Sequence, residues 1–187
     1  MNDKAPVRGP SVRTIPDGDT HERLVCAECG YVHYDNPKIV VGAVCVFEDR
    51  LLLCRRAINP RKGYWVFPAG YLELNEAVEA GALREVREEA GVEVALDGIL
   101  AVYTIPRISQ VQIIYRARLN GPRLAPGPET LEAKLFRWDE VPWEELAFPT
   151  VHWALKHHRE VRDLAHFAPR ANPPGETADY IKKAASP

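Results

Sequence analysis

The chain has 187 residues, with 24 Lys or Arg against 26 Asp or Glu and a formal charge of −2. That length suits one domain with an appendage and a sizeable buried core, and the near-balance of charge argues against electrostatic capture of nucleic acid by the fold as a whole. No run of about eighteen apolar residues offers a membrane span, the segment Met1 to Pro6 has no apolar core of a signal peptide, and four cysteines do not make a disulfide scaffold; the expected setting is the cytoplasm.

Residues 1–20 carry Pro6, Gly9, Pro10, Pro16 and Gly18 among polar side chains and read as a disordered lead-in. Residues 21–36 hold a short ribbon-like piece from Leu24 to His33, and Asn36-Pro37 punctuates the entry to a main domain expected over residues 37–167. Ile39 to Phe47 is almost wholly apolar and rich in valine, as a strand buried on both faces is. Glu48-Asp49-Arg50 turns the chain into a partner strand at Leu51 to Leu53, and Tyr64 to Phe67 forms a third strand-like run before Pro68. A helix follows, then strands at Gly98–Ile105, Gln110–Leu119 and Leu135–Trp138, with Gly121-Pro122 and Pro126-Gly127-Pro128 marking loops. Pro149 suits the first position of a last helix, Thr150 to about Arg162. Residues 168–187, with Pro173-Pro174-Gly175, read as a disordered tail. The pattern is α/β, a central sheet with helices on its faces.

One segment carries the chemistry. Gly70 is followed after five residues by Glu76, and after seven more by Arg84-Glu85-Val86-Arg87-Glu88-Glu89-Ala90-Gly91-Val92. Asn75 has the side chain of a helix N-cap, and Gly91 is the residue type that follows a helix end. On a helical wheel Glu85, Glu88 and Glu89 share one face about 100° wide. Two carboxylates about 5 Å apart repel by roughly 3 kcal/mol at an effective dielectric near 20, and a hard divalent cation removes that penalty. By itself such a run is an ordinary solvated helix face with Arg84 and Glu88 paired at i,i+4.

The segment matches the Nudix box at every specified position, and it resembles the catalytic loop–helix–loop of Nudix hydrolases. The resemblance implies the Nudix fold, a mixed α+β sheet in an αβα sandwich. It implies that Glu85, Glu88 and Glu89 coordinate Mg²⁺ or Mn²⁺ together with the backbone carbonyl of Ala69, and that Arg84 orients these glutamates. Gly70 would permit the turn before the helix, and Glu76 would brace the loop. The reaction implied is attack of an activated water on one phosphorus of a diphosphate. Nudix enzymes take the general base from the box or from a later loop; Glu129 and Glu132 are the later candidates, with Glu132 preferred.

Cys26-Ala27-Glu28-Cys29-Gly30 has the spacing of a zinc knuckle, two thiolates on a tight turn. The second pair of a four-cysteine site is missing, since Arg8-Gly9-Pro10-Ser11 stands about where it would lie. With Ile15-Pro16-Asp17-Gly18 and Asp35-Asn36-Pro37-Lys38, the segment resembles the N-terminal zinc ribbon of a bacterial and plastid Nudix subgroup, in degenerate form. Zn²⁺ at Cys26 and Cys29 would need further donors from His21, His33, Cys45 or Cys54; a metal-free ribbon is the alternative.

That subgroup likeness extends through Ile105 to Gln110 and Ala125 to Glu132 and implies cleavage of FAD and ADP-ribose with release of AMP, by a homodimer. The stretch after the box lacks the Ser-Gln-Pro-Trp-Pro-Phe-Pro pattern of NADH-cleaving relatives. Arg55, Arg56 and Arg107 are the basic residues expected near phosphate or ribose, and Tyr64 and Trp65 are aromatic candidates for stacking on a base. The partner expected is a small nucleotide, with neither nucleic acid nor membrane. Two other readings stand beside this one: a non-catalytic Nudix domain that senses nucleotides or binds a partner, and a pyrophosphatase of oxidised nucleoside triphosphates or NADH.

Overall fold

The computed structural model describes residues 9–178. The expectations for residues 1–8 and 179–187 fall outside that range. The described residues divide into two units between Asn36 and Pro37. In the first, β1 (Val12–Thr14), β2 (Arg23–Val25) and β3 (Val32–His33) form an antiparallel sheet in that order. Residues 12–14, read from sequence as disordered, are thus a strand, with Val12 opposite Val25. Their side chains are exposed, so backbone pairing rather than burial orders them. Between β2 and β3, Gly30 adopts φ 72° and its N–H donates to the Cys26 carbonyl at 2.9 Å, closing the knuckle.

The second unit is built on β4 (Lys38–Phe47) and β5 (Arg50–Arg56). These strands pair only beside their turn, Val46 with Leu51 and Phe47 with Arg50. Beyond that they part, and the following segment fills the gap: β6 (Trp65–Val66) pairs with β5, and β7 (Ala69–Tyr71) pairs with β4. The chain then enters α1 (Val78–Ala90), returns through β8 (Val94–Ile105), β9 (Gln110–Leu119) and β10 (Thr130–Phe136), and ends its regular structure in α2 (Pro149–Val161). The sheet order is β10-β5-β4-β9-β8, with β4 and β9 parallel over nine residue pairs and the other neighbours antiparallel.

The apolar character of β4 follows from its position at the sheet centre. Val41, Ala43 and Cys45 pack with Ala82, Val86 and Ala90 of α1, whereas Val44 joins Tyr103, Trp153 and Leu155 on the face covered by α2. Helices on both faces bury Val41 to Cys45 on either side, which is why this stretch does not alternate. The architecture is a mixed sheet between two helices, an α/β sandwich.

Two local expectations change. Asn75 does not cap the helix: it takes φ 63° in the turn before it, a conformation its short polar side chain tolerates, and α1 starts after Ala77 with no side-chain cap. The segment from Pro169 is ordered as far as Ala178, because its backbone bonds to β8: Arg170 N–H donates to Leu100 O at 2.8 Å and Val102 N–H to Arg170 O at 2.9 Å. No helix among the described residues is long and apolar enough to cross a membrane.

Candidate active site

β7 brings Ala69 and Gly70 against the face of α1 that carries the glutamates. A Cβ on Gly70 would lie against the Glu85 carboxylate, so glycine leaves that side chain its place. This corrects the turn expected at Gly70, which lies in a strand without a positive φ. At the other end of α1, Gly91 takes φ 63° and ψ 29°, and its N–H donates to Arg87 O at 2.9 Å.

Arg84 holds the box together. Its Nε donates to Glu76 Oε1 at 2.7 Å and one Nη to Glu76 Oε2 at 2.9 Å, while the other Nη donates to Glu85 at 2.7 Å and Glu88 at 3.0 Å. A further bond reaches the Tyr71 carbonyl at 3.0 Å. Glu76 also accepts from Glu73 N–H at 3.0 Å, and with the Arg84 guanidinium as the larger cause its carboxyl is lowered to about 2. The guanidinium therefore ties the loop before α1 to two glutamates of the helix, at the wall of the cavity it lines with them.

The three box glutamates differ in environment. Glu88 is exposed, whereas Glu85 and Glu89 are buried. Burial raises the Glu85 carboxyl against the opposing pull of Arg84. Burial, reinforced by the Glu85 charge, raises Glu89 to about 8, opposed by Arg56 and by a hydrogen bond from Ala69 N–H. Oε2 of Glu89 is buried and has no hydrogen-bond partner. A buried carboxylate oxygen left unpaired is costly, and a divalent cation is the group that would satisfy it. Among the described residues, no three His, Cys, Asp or Glu side chains are gathered into a finished ligand cage. Glu85, Glu88, Glu89 and Ala69 line the same cavity, and an all-oxygen set from these residues would suit a hard cation.

These groups line a cavity of about 680 Å³. Its lining combines the carboxylates of Glu85, Glu88, Glu89 and Glu129 with apolar side chains of the cluster that α2 covers, Phe67, Ile105, Phe148 and Val151. Arg56 and Arg107 line it too. The Arg56 Nε donates to Pro60 O at 2.9 Å, and its guanidinium lies 5.3 Å from the Phe148 ring. Arg55 does not reach the cavity; its Nε is bound to Gly63 O at 2.9 Å. Glu132 is also outside it, on β10 opposite Arg55, whereas Glu129, exposed like Glu132, lines it and its charge acts on both Glu85 and Glu89. Two residues separate these acids, but the register shift between Thr130 and Glu132 turns the second away.

The aromatic lining differs from the sequence expectation as well. Trp65 is core, edge-on to Phe136 with ring centroids 4.9 Å apart, and Tyr64 stacks with Arg61 at 4.9 Å. Neither lines the cavity; Phe67, Tyr71 and Phe148 do.

In the N-terminal unit the Cys26 thiol is drawn below its ordinary value by the backbone N–H groups of Cys29 and Glu28. Among the described residues no third and fourth donor joins this pair, and Cys45 and Cys54 are both buried in the main core.

Residues 9–35 match the Nudix N-terminal family and residues 36–158 the NUDIX domain family. The chain is 31% identical over 122 residues to an ADP-ribose pyrophosphatase of Methanocaldococcus jannaschii, covering 63% of this chain and 71% of that protein. It is 34% identical over 124 residues to a NAD-capped RNA hydrolase, NudC, of Stutzerimonas stutzeri, covering 64% of this chain but spanning only 43% of that relative. The crystal structure of a NUDIX hydrolase from Nitrosomonas europaea superposes with a TM-score of 0.82 at 40% identity, over 92% of this chain and 99% of that one. With its main domain matched throughout and a likeness of that extent, the chain belongs to the Nudix hydrolases, a family that generally works with divalent metal ions.

Proposed function

We propose that the chain is a Mg²⁺-dependent diphosphatase that cuts ADP-ribose between its two phosphorus atoms and releases AMP, with FAD as a second substrate. The observation that carries this reading is the single cavity joining Glu85, Glu88 and Glu89 to an apolar wall. Its volume of about 680 Å³ falls in the range of sites that enclose small ligands. An oxygen-rich end suits a cation and a diphosphate, and an apolar end suits a nucleobase. The ADP-ribose pyrophosphatase among the relatives supports the same substrate. A homodimer in the cytoplasm, implied by the subgroup likeness, belongs to this reading.

A divalent cation held at the box supplies charge neutralisation for the diphosphate and lowers the pKa of a bound water. The protein's part is positioning. Glu85 and Glu89 present oxygens from a buried helix face, and Arg84 fixes Glu85 and Glu88 by hydrogen bonds that Glu76 anchors from behind. Glu129, which lines the cavity, is the proposed acceptor of the proton lost by the attacking water; Glu132, which does not line it, is not. Arg56, whose charge acts on Glu89, balances part of the negative charge that accumulates.

A hydrolysis panel with product identification tests this. ADP-ribose, FAD, NADH, NAD-capped RNA and oxidised dGTP are incubated with Mg²⁺ or with EDTA. AMP from ADP-ribose, lost with EDTA, is the expected outcome. Pyrophosphate from the triphosphate alone would indicate nucleotide cleansing, release of an RNA 5′ end would align the chain with its NudC relatives, and tight ADP-ribose binding without turnover would indicate a sensor.

A further inference from the structure

The segment after α2 pairs with β8 and brings Ala178, the last described residue, to the lining of the cavity. We propose that Pro169–Ala178 is a structural strap that bounds the nucleobase end of that cavity, with Ala178 setting the size of base it accepts. The inference rests on the diphosphatase reading for the identity of the ligand and on geometry for the strap.

The geometry begins at a sheet edge. β8 is the last strand in the order β10-β5-β4-β9-β8, so one side of its backbone would otherwise lack partners. Arg170 pairs with Leu100 and Val102 through two backbone bonds of 2.8 and 2.9 Å. Two residues on, the side-chain amide of Asn172 replaces a backbone pair: its Oδ1 accepts from Thr104 N–H at 2.9 Å and its Nδ2 donates to Thr104 O at 2.8 Å. The Asn172 Nδ2 also donates to Glu176 O at 3.2 Å, and Glu176 N–H donates to Pro173 O at 3.0 Å, which folds Pro173–Glu176 into a turn. Trp153 of α2 then fixes the far side of that turn, its Nε1 donating to a Glu176 carboxylate oxygen at 2.8 Å.

These anchors deliver Ala178 to a defined place. It is buried, belongs to the same apolar cluster as Phe67, Ile105 and Val151, and lines the cavity beside them. That wall lies in the same cavity as the box glutamates but carries no carboxylate. A planar, weakly polar ring suits it, whereas ribose and phosphate gain nothing from apolar surface. A methyl group at this position leaves depth for such a ring, and a larger side chain would fill it.

The test uses the full chain and titrates two ligands calorimetrically, AMP and ribose 5-phosphate, which share the phosphorylated sugar and differ in the base. Ala178→Trp is expected to weaken AMP roughly tenfold or more while leaving ribose 5-phosphate within about twofold. Ala178→Gly, which widens the pocket, should keep AMP binding within about threefold. Should Ala178→Trp fail to fold, Asn172→Ala carries the same test, because it releases the strap from Thr104 while touching no ligand. Equal weakening of both ligands, unchanged AMP binding, or no AMP binding by the unaltered chain would overturn the inference. Turnover of ADP-ribose is measured in parallel: its absence with AMP selectivity intact defeats the diphosphatase reading alone.

Discussion

Arg84 and Glu76 are joined by two parallel hydrogen bonds, Nε to Oε1 at 2.7 Å and Nη to Oε2 at 2.9 Å. The fork geometry leaves the remaining guanidinium nitrogen for Glu85 and Glu88. A lysine ammonium has the charge but cannot hold this planar set. Arg84→Lys should therefore lower kcat by about 10- to 100-fold with little change in KM, since the misplaced groups act on the reacting bridge. Glu76→Gln should do the same more mildly, and the double variant should be less than additive. Additive losses in steady-state kinetics would separate the two residues.

Glu89 has a buried oxygen with no partner and a carboxyl raised to about 8. Removing its charge should not destabilise the metal-free protein, because burial already works against that charge. We expect Glu89→Gln to melt within about 2 °C of the unaltered chain, yet to lose at least a thousandfold in kcat. Mg²⁺ at about 100 times its Kd should stabilise the unaltered chain by roughly 3 kcal/mol and the variant by far less. Equal Mg²⁺-induced melting shifts in both proteins would remove Glu89 from the ligand set.

Much of this site could be read before any coordinates, because the box confines its chemistry to one turn–helix segment. The 3.6-residue period alone puts Glu85, Glu88 and Glu89 on one face. What the pattern did not contain was depth: Glu88 is exposed while its two neighbours are buried, and that depends on β7 and on Arg56 from a different strand. β4 was legible because helices cover both its faces, so apolar continuity was the signal. The strap was illegible for the opposite reason. Its order comes from Asn172 bonding a residue 68 positions earlier, and no local reading of Pro173-Pro174-Gly175 contains that. The position of Glu132 outside the cavity has a similar origin, a β-bulge that sequence does not announce.

The separation of Glu129 from Glu132 is itself testable. Both acids are exposed, but Glu129 lines the cavity and its charge acts on Glu85 and Glu89, whereas Glu132 lies outside it on β10. Glu129→Gln should reduce kcat by about 10²- to 10⁴-fold, the scale of a lost general base. Glu132→Gln should stay within about threefold, as surface changes do. The reverse ranking would return the proton-accepting role to Glu132.

Gly70 offers a probe of spacing without any change of charge. A Cβ there would meet the Glu85 carboxylate, so Gly70→Ala must push that side chain off its position. A displacement of this kind at the reacting centre costs on the order of 100-fold in rate. The expected signature is a fall in kcat accompanied by weaker Mg²⁺ dependence of the melting temperature. Unaltered kinetics would mean that Glu85 moves freely and its placement is not critical.

His158 lies away from the cavity and makes a prediction about stability alone. It is buried in α2, and its imidazole is lowered to about 4, by burial first and then by the charges of Arg116 and Arg162. Arg116 is held there by carbonyl acceptors of Val161 at 2.8 Å and Leu164 at 3.0 Å and by Asp97 at 2.8 Å, so the cation cannot withdraw when the histidine charges. The folded pKa lies below the unfolded value near 6.5, so neutral His158 favours the fold above that pH. The contribution is lost as pH falls from about 6.5 through 4, at most about 3 kcal/mol in total. For a chain of this size that corresponds to a decline of roughly 5 to 10 °C in melting temperature, beyond the decline that carboxylate titration brings. His158→Gln, which cannot protonate, should melt with a shallower slope across that window while matching the unaltered slope above pH 7. Parallel curves for the two proteins below pH 6.5 would show that the imidazole titrates without resistance from Arg116.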